Sequence, residues 1–404
     1  MIVGIIGAGA SGMAAALAVS ENADVQVILL ERQARVGRKL QATGNGRCNL
    51  SNIHALNRGY NGEHPEFVMP AIHSFNPTDT LAWFRQLGLY TIIEDSGKVY
   101  PYSDQANSVV DILRLNLDRP NIDLRLGFEV EKIWKKGDVF QISNKTDTVL
   151  CDKLIVACGG IAGSKLGGTM DGYKFLGKLG HKSTRLRPSL VQLKTDWQGI
   201  TALKGVRANC HIALCHNGEK LAESAGELQL TEIGISGPVV FEISRDACIA
   251  PGQWSVKLDF LPAWTEAELT EEILHRTKTN LPFEELLTGI LHNRLGRVLT
   301  KTAGVQGLKF ARELSTQQAC DISRVVKNLE IRLTEPLGMD SAQVTAGGIR
   351  TEEFNPQTME SRLVPGLYAC GEVLDIDGDC GGYNLQWAWS SGRCAGLHAG
   401  KETK

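Results

Sequence analysis

The sequence has no CxxC pair, no HxH or HExxH pattern, and no apolar run of the roughly 18 residues that a membrane helix needs. Each absence removes a class of function. Without paired cysteines or spaced histidines there is no zinc or other metal site to assign among the ten cysteines and nine histidines. The cysteines sit singly inside strand-like and helix-like runs, such as Cys158 in LIVACGG and Cys370 in LYACGE, so we expect them reduced and the protein cytoplasmic. Net charge is only −2, so no global positive field would collect nucleic acid, although a local basic patch stays open. The opening MIVGIIGAGASG lacks a basic flank, and no signal peptide is expected. Internal repeats and low-complexity tracts are missing too.

What is present suits a globular α/β protein of two or three domains: 404 residues, 43% hydrophobic and 22% charged. Residues 2–6 read as a buried strand, 12–22 as an Ala-rich helix and 25–30 as a second buried strand, a βαβ unit. Residues 36–62, rich in Gly, Asn and Arg, read as one long loop of the kind usually kept for function. Helices are expected at 78–88 and 105–118, and strands through 122–157. Residues 190–260 carry short strand runs. TEAELTEEILHRT then opens a helical stretch with a capping-box pattern, Thr265 followed by Glu268. Strands return at 329–333, 341–345 and 367–371, before a helix at 384–398 that begins at a glycine pair.

Gly7-Ala8-Gly9-Ala10-Ser11-Gly12 is GxGxxG, placed after a strand and opening a helix inside the first βαβ unit. Gly7 permits the tight turn, Gly9 lets a pyrophosphate approach the backbone, and Gly12 lets helix and strand pack closely. The helix start around Ala10 and Ser11 offers free N–H groups to phosphates. Glu31 ends the second strand, 24 residues after Gly7 (31 − 7), where an acid accepts hydrogen bonds from a ribose diol. The fingerprint alone does not separate FAD from NAD.

Two later segments do. Leu154–Gly160 and Gly366–Glu372 are each a buried strand ending in small residues. They resemble flavoproteins of the glutathione-reductase type. That resemblance implies non-covalent FAD, with Glu372 after Gly371 on the ribityl chain, Cys158 and Gly159 beside the cofactor, and Val130, in a strand GFEV, meeting the adenine. No second GxGxxG follows a strand, so no separate NAD(P) domain is expected, and NADH or NADPH enters only as a transient electron donor.

Four motifs narrow the resemblance: Gly37-Arg38-Lys39 with Thr43-Gly44-Asn45-Gly46-Arg47-Cys48-Asn49, then Gly234-Ile235-Ser236-Gly237-Pro238, GLYACGEVLD at 366–375, and Gly381-Gly382-Tyr383-Asn384-Leu385-Gln386-Trp387-Ala388-Trp389. In this order, over essentially the whole chain, they resemble the BaiN/YhiN-like flavoproteins, also called aminoacetone-oxidase-like. The resemblance implies a Rossmann-type FAD-binding domain (1–189 and 341–404), an inserted β-rich domain (190–264 and 316–340) and a small helical insertion (265–315). It also implies His at Glu232 and a bulky apolar residue at Cys380 in many relatives, and this chain departs at both.

Taken singly, Arg32, Arg38, Lys39 and Arg47 would be solvated surface charges. Clustered beside glycine-rich turns, they read as contacts to an anionic cofactor or its substrate. The amides near Asn384 and Leu385, behind Gly382, can stabilise charge on the flavin pyrimidine ring. The ring is therefore expected between 43–49 and 380–385. Cys380 is either a small packing residue or a proton donor after hydride transfer, and Trp387 and Trp389 read as packing. The function implied is an FAD-dependent oxidoreductase that adds hydride to an activated C=C, either a uridine of large-subunit rRNA or a steroid-like enone. Arg294, Arg297, Lys301, Lys309 and Arg312 read as a solvated helix face or a phosphate-facing patch. The alternatives are an oxidase of small amines such as aminoacetone and a non-catalytic flavin module. No membrane or metal partner is expected, and the oligomeric state is left open.

Overall fold

A computed structural model describes residues 1–56 and 58–401; Asn57, within the long Gly/Asn-rich segment, and residues 402–404 lie outside the described residues. The chain divides into two compact units, Met1–Arg187 with Gln343–Lys404, and Pro188–Ala342.

The first unit is built on a five-stranded parallel sheet. Ile2–Ile6 lies at its centre, flanked by Lys153–Val156 and Gln26–Glu31, with Leu367–Ala369 and Ile122–Leu126 at the edges. The central strands are continuous Ile, Val and Leu because both faces are covered. The helix Ala10–Val19 is buried along nearly its whole length, which explains its run of alanines. It packs on the C-terminal helix Tyr383–Ala399, where Gly392 and Gly396 bring the two backbones together: a Cβ on Gly392 would lie 2.3 Å from Ser11 O. Gly12 is equally constrained, since a Cβ there would fall 1.8 Å from Gly7 O. The fingerprint turn and its helix are thus fixed by contacts that exclude any side chain.

Two expectations need correction. Residues 36–62 are not one loop: RKLQA forms the short helix Arg38–Ala42, followed by a tight turn, Thr43–Gly46, with Gly44 and Asn45 left-handed. Five residues are too few to show a 3.6-residue period. Val130 is not in a strand. It lies in the connection after Ile122–Leu126, which runs beside the second strand through Phe128 N–H to Glu31 O at 2.9 Å.

This unit also holds a buried polar chain. His181, whose side chain is fully buried, meets Glu353 Oε2 through Nδ1 at 2.8 Å and Ser361 Oγ through Nε2 at 3.0 Å, and its ring stacks on Phe354 at 4.6 Å. Burial lowers its pKa from the ordinary 6.5, and the Glu353 carboxylate offsets this only in part. The unfolded chain therefore binds the extra proton first, so stability falls as pH drops below about 6.5. His181→Gln should flatten that acid limb of the thermal midpoint, measured at saturating FAD. An unchanged limb would assign the pH dependence to other groups.

The second unit is a closed six-stranded antiparallel barrel: Leu193–Thr195, Arg207–His216, Glu219–Leu230, Gly234–Ser236, Trp254–Asp259 and Leu329–Pro336. Helix Pro238–Ile249 packs on it, in a stretch expected to hold only short strands. The helices Glu266–Arg276, Asn293–Thr302 and Thr316–Lys327 share one apolar core with the barrel. The capping box at Thr265 and Glu268 is present.

Candidate functional site

The site is assembled in the first unit from both ends of the chain. At the fingerprint, Glu31 accepts from Ala8 N–H and Gln33 N–H, both at 2.8 Å. It therefore orders the glycine loop as well as standing at the end of its strand. A Cβ built on Gly9 meets nothing within 4 Å, and the same holds at Gly159, which has φ +69°. These are the open edges of a cradle above the carboxyl ends of the parallel strands, where doubly wound folds bind ligands.

Gly37, left-handed at φ 66°, caps helix Arg38–Ala42 and donates its N–H to Ala8 O at 2.9 Å, which ties the cationic segment to the fingerprint. The structure then sends the cations in different directions. Arg38 donates to Gln33 Oε1 at 2.9 Å, near the Glu31 end. Lys39 pairs with Glu372 at 2.7 Å, joining the N-terminal segment to the last parallel strand, and Glu372 also accepts from Thr345 N–H at 2.8 Å. Arg32 donates to Gly167 O at 2.9 Å and lies 3.6 Å from Asp171. Arg47 is held by Asp104 at 2.5 Å and Glu94 at 3.0 Å, with its guanidinium 4.0 Å over the Tyr100 ring. Those bonds fix its charge in place.

Tyr100 is buried on strand Lys98–Pro101, opposite Ile92 and one strand from Ser51–Asn52. Burial raises its hydroxyl pKa, Glu94 and Cys380 act in the same direction, and Arg47 opposes them. The turn after Cys380 is anchored by Asn52 Nδ2 donating to Gly381 O at 2.9 Å. Gly382, at φ 101°, caps the final helix, and a Cβ on it would fall 2.3 Å from Ser51 O. The same Cβ would fall 2.9 Å from Asn49 Oδ1, so the end of the loop 43–49 and the turn 380–385 are neighbours. The Asn384 side chain is occupied within the turn, exchanging hydrogen bonds with Gly378 at 2.7 and 2.8 Å. Trp387 and Trp389 are buried, with their indole N–H groups on Gly371 O and Leu50 O.

Sequence reasoning missed two residues. Gln386 is fully buried and links the final helix to Ser51, Phe75, Thr80 and Ser390. Asn49 is buried, and its Oδ1 has no hydrogen-bond partner among the described residues. Both lie in quoted motifs, yet a buried amide has no sequence signature of its own.

The residues present fit FAD. The open edge at Gly9, the acid at the end of the second strand and the unpaired Asn49 oxygen are features that a bound dinucleotide would complete. Residues 1–398 match the family described as HI0933-like protein Rossmann domain. The chain belongs to that family. It is similar to a 3-dehydro-bile acid delta(4,6)-reductase of Clostridium scindens, 40% identical over 98% of both chains. It is an FAD-dependent oxidoreductase of the reductase type. A ribosomal RNA dihydrouridine synthase of Escherichia coli is 31% identical over 96% of this chain and 95% of its own. Among solved structures, a 3-ketosteroid delta1-dehydrogenase of Sterolibacterium denitrificans shares the fold at 11% identity, with TM-score 0.50 over 98% of this chain and 99% of its own.

Among the described residues no helix is long and apolar enough to cross a membrane, and no cluster of His, Cys, Asp or Glu could hold a metal. In the second unit, Arg294 donates to Ala202 O and Lys204 O, Arg297 pairs with Glu285, and Arg312 donates to Asn280 and covers Phe310. Glu232 pairs with Lys204 at 2.6 Å.

Proposed function

We propose that this flavin-dependent reductase saturates a C=C bond conjugated to a carbonyl in a bulky apolar substrate of the steroid or bile-acid type, in the cytoplasm, with NADH or NADPH as the electron donor. The observation that carries the reading is the 40% identity, end to end, with a reductase of a bile-acid dienone. The rRNA reading has less support. Its relatives stand at 31%, and Arg294, Arg297 and Arg312, which would face phosphates, are engaged within their own unit.

The hydride chemistry at the β-carbon of the enone would come from two-electron-reduced FAD held by the residues of the site. The chain supplies the rest. The fingerprint turn with Glu31 holds the adenosine half, Glu372 with its Lys39 partner serves the ribityl chain, and Gly382 with the following amides borders the pyrimidine ring. Arg47, fixed by Glu94 and Asp104, keeps positive charge beside the ring. Cys380 delivers the proton that the α-carbon needs. The donor nicotinamide binds transiently, since the chain has one dinucleotide fingerprint.

The test offers the NADPH-reduced protein a 3-oxo-Δ4 steroid and, separately, a large-subunit rRNA fragment, both without oxygen. A steroid product heavier by two hydrogens is expected. Dihydrouridine formation with no reduction of the steroid would overturn the substrate assignment and leave the reductase chemistry standing.

A further inference from the structure

Asn49 closes the loop that begins at Thr43. It is only 9% exposed, and its Oδ1 is unpaired among the described residues. An unpaired buried amide oxygen is costly and rare, so it calls for a partner that the protein chain does not provide. Its surroundings define that partner. A Cβ on Gly382 would lie 2.9 Å from this oxygen, so Oδ1 stands at the mouth of the seventeen-residue helix Tyr383–Ala399. That helix end has no side-chain cap, and its first-turn amides have no acceptor within the helix. The side chain of Asn384 cannot serve them, being committed to Gly378. The unpaired acceptor thus lies beside the uncapped start of the helix.

The pyrimidine edge of oxidised flavin presents the complement: the carbonyl O2, the N3–H group, then the carbonyl O4. N3–H is the ring system's one N–H donor. We propose that Asn49 Oδ1 accepts the hydrogen bond from flavin N3–H while the helix terminus faces N1 and O2. Asn49 then selects the imide edge and fixes the depth of the ring in the site. The proposal rests on the ring lying between residues 43–49 and 380–385.

The test titrates apoprotein with FAD and with FAD methylated at N3, which lacks the donor. Wild type should bind the methylated cofactor about tenfold or more weakly, as expected for a hydrogen bond lost at a buried amide. Asn49→Ala should bind FAD about tenfold more weakly than wild type and barely distinguish the two cofactors. Its apoprotein should melt no lower than wild type, because no hydrogen bond of the apoprotein fold is removed. A methyl penalty of equal size in both proteins would overturn the assignment. A second variant, Thr43→Trp, separates this from a misplaced ring. Shortened flavin fluorescence there, together with a methyl penalty that Asn49→Ala leaves unchanged, removes Asn49 alone, whereas an unaltered lifetime overturns the ring placement and the proposal with it.

Discussion

Cys380→Ala is expected to keep FAD and its reduction by NADPH intact while slowing saturation of the enone by about 10²-fold or more, the size of a lost general acid. The reasoning is local. Cys380 lies one residue before the Gly381-Gly382 turn, which is held by Asn52 and lies against Lys98, on the strand that carries Tyr100. Hydride arriving at the β-carbon leaves an enolate that must take a proton at its neighbour, and water supplies it poorly in a closed site. Cys380→Ser, a weaker acid of similar size, should fall between the two. Steady-state turnover with separately measured reductive and oxidative half-reactions checks this. Oxidative half-reactions at the wild-type rate in Cys380→Ala would make the residue a packing group.

Two glycines of the fingerprint should fail in different ways. In Gly12→Ala the added carbon would stand 1.8 Å from Gly7 O and 3.3 Å from the Ala157 side chain, so helix and strand must separate. Overpacking of this kind costs about 3 kcal/mol or more against rigid backbone. The apoprotein should melt lower, and little flavin should co-purify. In Gly9→Ala the added carbon meets no protein atom within 4 Å, and φ is −80°, which alanine adopts freely. That apoprotein should melt like wild type yet bind FAD at least tenfold more weakly, because the methyl group occupies the approach of the pyrophosphate. Thermal melts of apoprotein with FAD titration distinguish the cases. Full FAD affinity in Gly9→Ala would place the pyrophosphate elsewhere.

The legibility of the sequence follows the physics. The first βαβ unit, Glu31 and the strand before Glu372 could be read because continuous apolar strands and glycine spacing are local signals. The helix Pro238–Ile249 was hidden by Val239, Val240 and Ile243, whose branched side chains mimic a strand. The signal that outweighs them is Gly237-Pro238, a proline at the first helical position. The basic residues of the second unit had the composition of a phosphate patch, but their carbonyl and carboxylate partners lie up to about ninety positions away in sequence. The same holds for Lys39 and Arg47 among the three cations of residues 38–47. Their clustering was visible, whereas the pairing of Lys39 with Glu372, 333 residues apart, is a product of the fold. Asn49 belongs to this class, since only packing shows that its oxygen lacks a partner.

Most direct is a single turnover without oxygen. Protein reduced with one equivalent of NADPH is mixed with a 3-oxo-Δ4 steroid, and the flavin band and the products are followed together. Flavin should reoxidise with formation of one equivalent of saturated steroid, and the band should stay bleached when a small amine replaces the steroid. A flavin that ignores the enone, yet in air turns over with amines and releases peroxide, would contradict the account.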